Sequence, residues 1–150
     1  MRQTLKLWDL KNNTLVRTFP GMSEFILNSI SLEILNSGDS ICVYSLAVLS
    51  LTGELVSGEG DICVWSPSTG QIIKKIATRG FVASLIVLPS GKLVSGDSQE
   101  VVSVWNSFTG YLVRELTGQT DWIESLAFLP ECQGLKIASG SNHKTIRIWQ

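Results

Sequence analysis

Leu93-Val94-Ser95-Gly96 leads through a polar turn to Val102-Ser103-Val104-Trp105, and that pair of segments comes back. Upstream it reads Leu55-Val56-Ser57-Gly58 and Ile62-Cys63-Val64-Trp65; downstream it reads Ile137-Ala138-Ser139-Gly140 and Ile146-Arg147-Ile148-Trp149. A partial copy opens the chain as Leu5-Lys6-Leu7-Trp8-Asp9. Four of the five tryptophans close a copy, and only Trp122 stands apart. Self-similarity at such a period predicts an array of small supersecondary units, each burying its apolar face on its neighbour.

The tryptophans at 65, 105 and 149 are 40 and 44 residues apart, room for about four short strands per unit. Alternation and turn residues place those strands. The first is an apolar run, Ser45 to Leu49, Ser84 to Leu88 or Ser125 to Leu129, which suits an inner strand covered on both faces. Turns are predicted at Pro89-Ser90-Gly91 and at Pro130 to Gly134. The second strand carries the Ser-Gly pair, and the third alternates up to the tryptophan. After Thr69-Gly70 or Thr109-Gly110 a fourth runs Gln71 to Ile76 or Tyr111 to Leu116, with Thr14 to Phe19 as its N-terminal counterpart. Lys74, Lys75, Arg114 and Arg17 on these fourth strands suit an outer edge guarded against stray pairing.

Three copies in phase, with a partial fourth, give the chain its resemblance to the WD-repeat family. The resemblance implies an all-β fold, a partial β-propeller of four-stranded blades: about three blades plus partial N-terminal strands. The implied division is 1–20, a partial repeat; 21–66, a degenerate repeat with an extra hairpin in 22–44; 67–106, a repeat; and 107–150, a repeat without its outer strand. The motif positions carried over are Trp8, Asp9, Ser57, Gly58, Asp61, Trp65, Ser95, Gly96, Trp105, Ser139, Gly140 and Trp149. Family blades often hold a hydrogen-bonded set of Trp, Ser or Thr, His and Asp. Here no histidine follows the relevant glycine, since Gly118 precedes Gln119 and Gly21 precedes Met22. The turn aspartate survives only as Asp61, with Gln99 and His143 as its counterparts. A net hydrogen bond is worth roughly 0.5–1.5 kcal/mol, so these blades are expected to lean more on apolar packing.

Closed propellers use about 4–8 blades, so the chain reads as part of a ring. Thr14 to Phe19 is one candidate for the outer strand missing beyond Trp149. Otherwise self-association, or further blades from another chain or from missing sequence, would cover the open edges.

Net charge is −1, from 12 basic and 13 acidic residues, and no basic run exceeds Lys74-Lys75, so nucleic acid is not the expected partner. Cys42, Cys63 and Cys132 lack metal-ligand spacing; Cys42 and Cys63 fall inside strand patterns, as small buried apolar groups would. Met1 leads within a few residues into a strand, and the longest apolar stretch, Phe81 to Leu88, is far short of the ~20 residues that span a bilayer. The expectation is a soluble cytoplasmic protein, away from membranes, without metal or cofactor.

No catalytic constellation emerges. His143 is the single histidine and lies at a turn, and Gly58-Glu59-Gly60-Asp61 lacks the lysine and helix of a phosphate loop. Glu54, Glu59, Asp61, Asp97 and Glu100 read as solvated turn charges. A non-enzymatic scaffold for protein–protein contacts is therefore expected. The alternatives are an enzyme or small-molecule site in the propeller channel, or a nonfunctional truncated copy. Carried over from the resemblance, the contact surface is a rim holding Trp122, Asp121, Phe81, Arg79, Gln99, Glu100 and Asn142, with Phe25 aligned to Phe81 and Trp122. Half-exposed aromatics and arginine are the residues that most often carry interface energy.

Overall fold

Alternating aliphatic and small residues bounded by Gly, Pro and Ser punctuation give antiparallel strands as the regular elements among the described residues. A computed structural model describes residues 5–9, 11–12, 14–19, 43–131 and 134–150. Phe25, Cys42, Cys132 and the expected hairpin region up to residue 42 lie outside them. β1 (Leu5–Asp9) and β2 (Thr14–Phe19) form a two-stranded N-terminal sheet. β3 (Ser45–Val48), β4 (Leu55–Gly58), β5 (Ile62–Trp65) and β6 (Ile72–Ile76) form a four-stranded first sheet in simple order. β7 (Val82–Val87), β8 (Leu93–Asp97), β9 (Val102–Trp105) and β10 (Leu112–Leu116) repeat it as the second. β11 (Ile123–Glu131), β12 (Gly134–Ser141) and β13 (Ile146–Trp149) make the third, with three strands. The architecture is all-β, about three propeller blades.

Two departures from the sequence expectation are local. Pairing of β11 with β12 runs on through Pro130↔Leu135 to Glu131↔Gly134, so these strands overrun the expected turn. A proline is tolerated there because β11 is the innermost strand of its sheet, with no ladder on its other side among the described residues. Cover on both faces of the inner strand is also not general: along β3, Leu46 and Val48 are exposed while Ser45 and Ala47 are half-buried.

Two apolar layers hold the sheets together. The first joins Leu49, Val56, Ile62, Val64 and Ile76 to Val82, Leu85, Leu93 and Trp105 of the second sheet. The next joins Leu88, Val94, Val102 and Leu116 to Ile123 and Ile137, with Trp149 packed against it. On the far side of the first sheet, Leu7 of β1 packs on Cys63 and Trp65. The N-terminal pair thus occupies the third- and fourth-strand places of a sheet preceding the first. That corrects the closure expected in cis: β2 pairs with β1 and does not extend the third sheet beyond β13.

Each junction repeats the same small devices. Ser45 Oγ accepts the Leu85 N–H at 2.9 Å, and Ser84 Oγ accepts the Leu126 N–H at 3.0 Å, so a serine on one inner strand ties down the next. The Ser-Gly glycines make room for that approach. A Cβ on Gly58 would lie 2.7 Å from Val82 Cγ1, and one on Gly96 would lie 2.3 Å from Ile123 Cγ2. At the outer edge cations clasp the neighbour's turn carbonyls. Arg17 Nη1 donates to Thr69 O at 2.9 Å, Lys74 Nζ to Ser107 O at 3.1 Å and also to Phe108 O, and Arg114 Nη1 to Gln150 O at 3.2 Å. Lys75 instead pairs with Asp61 at 2.9 Å. Arg17, Lys74 and Arg114 do more than guard an edge: they stitch one sheet to the next.

Candidate functional site

In the first, second and third sheets the third-strand indole N–H donates to the second-strand serine at 2.8 Å: Trp65 to Ser57, Trp105 to Ser95, Trp149 to Ser139. What supports the serine differs. In the third sheet the missing histidine is replaced. Buried Gln119 donates through Nε2 to Ser139 Oγ at 3.0 Å and to the Ser139 carbonyl at 3.3 Å, while its Oε1 accepts from Thr145 Oγ1 at 3.0 Å. A primary amide offers a donor and an acceptor much as an imidazole does. The polar set is therefore rebuilt there, and the expectation that a blade without the histidine leans more on apolar packing does not hold for the third sheet. Gln119 follows Gly118 where the family motif puts its histidine, and that position was the available signal.

In the first two sheets the residue two places after the serine is a carboxylate, and both carboxylates are buried. Glu59 is 2% exposed and Asp97 4%, so neither is the solvated turn charge expected of it. Glu59 hydrogen-bonds Ser57, and Lys75 stands nearby, yet burial holds its carboxyl above the ordinary value. Burial likewise raises Asp97, whose Oδ1 accepts the Gln99 N–H at 2.9 Å and the Val101 N–H at 3.1 Å and so shapes the turn. Asp61 does hold its turn, accepting the Thr78 N–H at 3.2 Å and binding Lys75. Lys75 is raised in turn, chiefly by the Asp61 hydrogen bond. Burial pushes the Cys63 thiol up to about 12, so it remains protonated and packs as a small apolar group.

The rim lies where these turns meet the entries of the inner strands. Phe81 and Trp122 precede β7 and β11, each 53% exposed. Both are fastened by their backbone to the turn of their own sheet. Phe81 N–H donates to Ser98 Oγ at 3.0 Å, its carbonyl accepts the Ser98 N–H at 2.9 Å, and the Trp122 carbonyl accepts the Asn142 N–H at 3.1 Å. The turns carry matching left-handed residues, Glu100 at φ 66° and Lys144 at φ 61°. Around Trp122 the structure gathers Asp121, Asn142 and His143. Asp121 Oδ1 accepts the Trp122 N–H at 2.8 Å, and Oδ2 lies 3.3 Å from His143 Nε2. Gln99 and Glu100 sit on the turn beside Phe81. Arg79 points elsewhere, its guanidinium 3.3 Å from Glu115 on β10. Among the described residues no three His, Cys, Asp or Glu side chains gather where they could hold a metal ion.

Stacked antiparallel sheets, three of them carrying a Trp–Ser pair, make this a WD40 repeat chain, and it belongs to that family. The family model described as "WD domain, G-beta repeat" matches residues 110–150. Among curated relatives, the anaphase-promoting complex subunit cdh1 of Dictyostelium discoideum is 36% identical over 65% of this chain and 14% of that protein. Nuclear distribution protein nudF of Aspergillus niger is 27% identical over 97% of this chain and 35% of that one. The chain thus spans about a third or less of these relatives' length. The WD40 β-propeller domain of Doa1 superposes with a TM-score of 0.73 at 25% identity, covering 98% of this chain and 43% of that one.

Proposed function

We propose that the chain is a non-catalytic interaction module that binds protein through the rim at the entries of β7 and β11, with Trp122 and Phe81 as anchors. The carrying observation is that these two large aromatics occupy equivalent places, half exposed, on backbone pinned at both ends. A plug would be covered; an anchor needs a free face and a fixed root, because loops already ordered lose little entropy on binding. Asp121, Asn142 and His143 beside Trp122, and Gln99 and Glu100 beside Phe81, supply the polar surround. Arg79, engaged with Glu115, is a secondary contact at most. WD40 domains commonly mediate protein interactions, and one relative is by name a subunit of a complex, which supports a protein partner for this chain. The reading carries with it a soluble, cytoplasmic setting.

The test is titration of a partner recovered by affinity capture. Trp122→Ala should weaken binding by about 2 kcal/mol, roughly thirtyfold, and leave the melting curve in place. Ile73→Ala, on the exposed outer strand β6, serves as the control that changes neither. Normal binding by Trp122→Ala removes the rim as the site; unfolding of that variant makes Trp122 a structural residue.

A further inference from the structure

The third sheet is equipped for a neighbour that no described residue provides. Ser125 occupies the place of Ser45 and Ser84, whose hydroxyls accept the Leu85 and Leu126 N–H groups. Among the described residues nothing donates to Ser125. Gly140 occupies the place of Gly58 and Gly96, which stay bare because Val82 and Ile123 press on them. The crowding found at Gly140 comes from within its own sheet, where a Cβ would lie 2.6 Å from Ser125 Oγ. On the same face Ile146 and Ile148 stand 78% and 60% exposed, on a strand whose outer edge is unpaired among the described residues.

These devices specify what fits. The strands that dock are Val82-Ala83-Ser84-Leu85 and Ile123-Glu124-Ser125-Leu126: a β-branched residue to sit on the glycine, then a serine, then a leucine whose N–H bonds the preceding serine. A further segment of this form, Val43-Tyr44-Ser45-Leu46, leads into β3, whose Ser45 is the one that already ties down the second sheet. Its Leu46 and the following Val48 face outward, away from the second sheet, and are exposed. One end of the stack is a socket and the other carries the matching plug.

We propose that a second copy of this chain docks head to tail, its Val43–Leu46 segment seated on Gly140 and Ser125 of the first. Two such junctions close a two-copy ring. One exchange accompanies closure, since β13 must lie over the partner's Trp65, where β1 now packs. β1 and β13 share the aliphatic-x-aliphatic-Trp pattern, Leu5-Lys6-Leu7-Trp8 and Ile146-Arg147-Ile148-Trp149. β13 therefore displaces β1, and the released β2 pairs with β13 as the fourth strand that the third sheet lacks. The ring then has six four-stranded sheets, within the range of about 4–8 that propellers use. The junction is separate from the rim, so its failure would leave the binding proposal untouched.

The test is the mass of the purified chain by sedimentation across micromolar concentrations. A discrete two-copy species is expected. Ile148→Lys and Leu46→Lys should each weaken it by roughly a hundredfold, since each puts a charge into a buried junction. Both sites are exposed in the single chain, and a melting curve of each variant confirms folding. Ile73→Lys should have no effect. Because the joined faces differ, mixing the two junction variants should restore a pair held by one intact junction. A monomer at all concentrations overturns the proposal. So does association lost in Ile148→Lys but kept in Leu46→Lys, which would mean that like faces meet.

Discussion

Removing the Gln119 amide tests whether an amide stands in for the missing histidine. Gln119→Ala deletes two bonds to Ser139 and one from Thr145. Thr145 is exposed and its hydroxyl rehydrates, so that bond contributes little. The two to Ser139 are buried, and the loss leaves the Ser139 carbonyl and hydroxyl with fewer partners behind Trp149. At roughly 0.5–1.5 kcal/mol per bond plus part of the desolvation cost, the variant should lose about 2 kcal/mol. For a chain of this size that lowers Tm by roughly 4–8 °C. Gln119→His should recover more than half of the loss, because a ring N–H can donate to the same hydroxyl. Paired thermal and urea melts of the three proteins decide it. An alanine variant that melts within about 1 °C of the parent would show that the polar set is ornamental and that apolar packing holds the third sheet.

Trp105→Ala removes a buried indole and its bond to Ser95, and should cost roughly 3–5 kcal/mol in a urea melt, whereas His143→Ala, at an exposed turn, should cost less than about 1 kcal/mol. Glu59→Gln should show a pH-dependent gain. Burial raises the native carboxyl above its unfolded value, so the native state holds its proton longer and loses stability as pH rises between the two; the glutamine variant should match the parent in acid and exceed it at neutral pH, and a pH-independent difference in Tm would contradict this. Lys74→Ala should loosen the clasp on Ser107 and Phe108, seen as faster amide exchange at the 106–110 turn, with the 66–70 turn, clasped by Arg17, unchanged.

The repeat was legible because the same local job recurs in order along the chain: an apolar inner strand, a serine under an indole, a glycine where the next sheet presses. Such jobs leave the same residue type at the same spacing, so strand order and the three Trp–Ser pairs could be read before any coordinate. What escaped depends on neighbours in space. Glu59 and Asp97 look like turn charges, and nothing local says that the second sheet's Val82 N–H closes on the Glu59 carbonyl at 2.6 Å and shuts water out. Gln119 escaped because a motif is read by residue name, whereas the structure selects a donor at a given reach. Phe81 and Trp122 stand at the entries of β7 and β11, but the turn of Arg79 toward Glu115 depends on β10, the outermost strand of the second sheet.

Each junction between sheets has three parts: a serine and glycine near the inner strand, apolar side chains in the middle, and a cation on turn carbonyls at the edge. The junction between the first and second sheets has all three, through Ser45 with Gly58, the layer around Val56 and Leu93, and Lys74. The N-terminal pair supplies only the outer two to the first sheet, Leu7 on Trp65 and Arg17 on Thr69. The third sheet shows the complementary deficit, with Ser125, Gly140, Ile146 and Ile148 in place and no fourth strand among the described residues. The two partial junctions are halves of one. An assembly that joins them buries Leu46, Val48, Ile146 and Ile148 together, removing from water the apolar surface that would make either end alone prone to unspecific association.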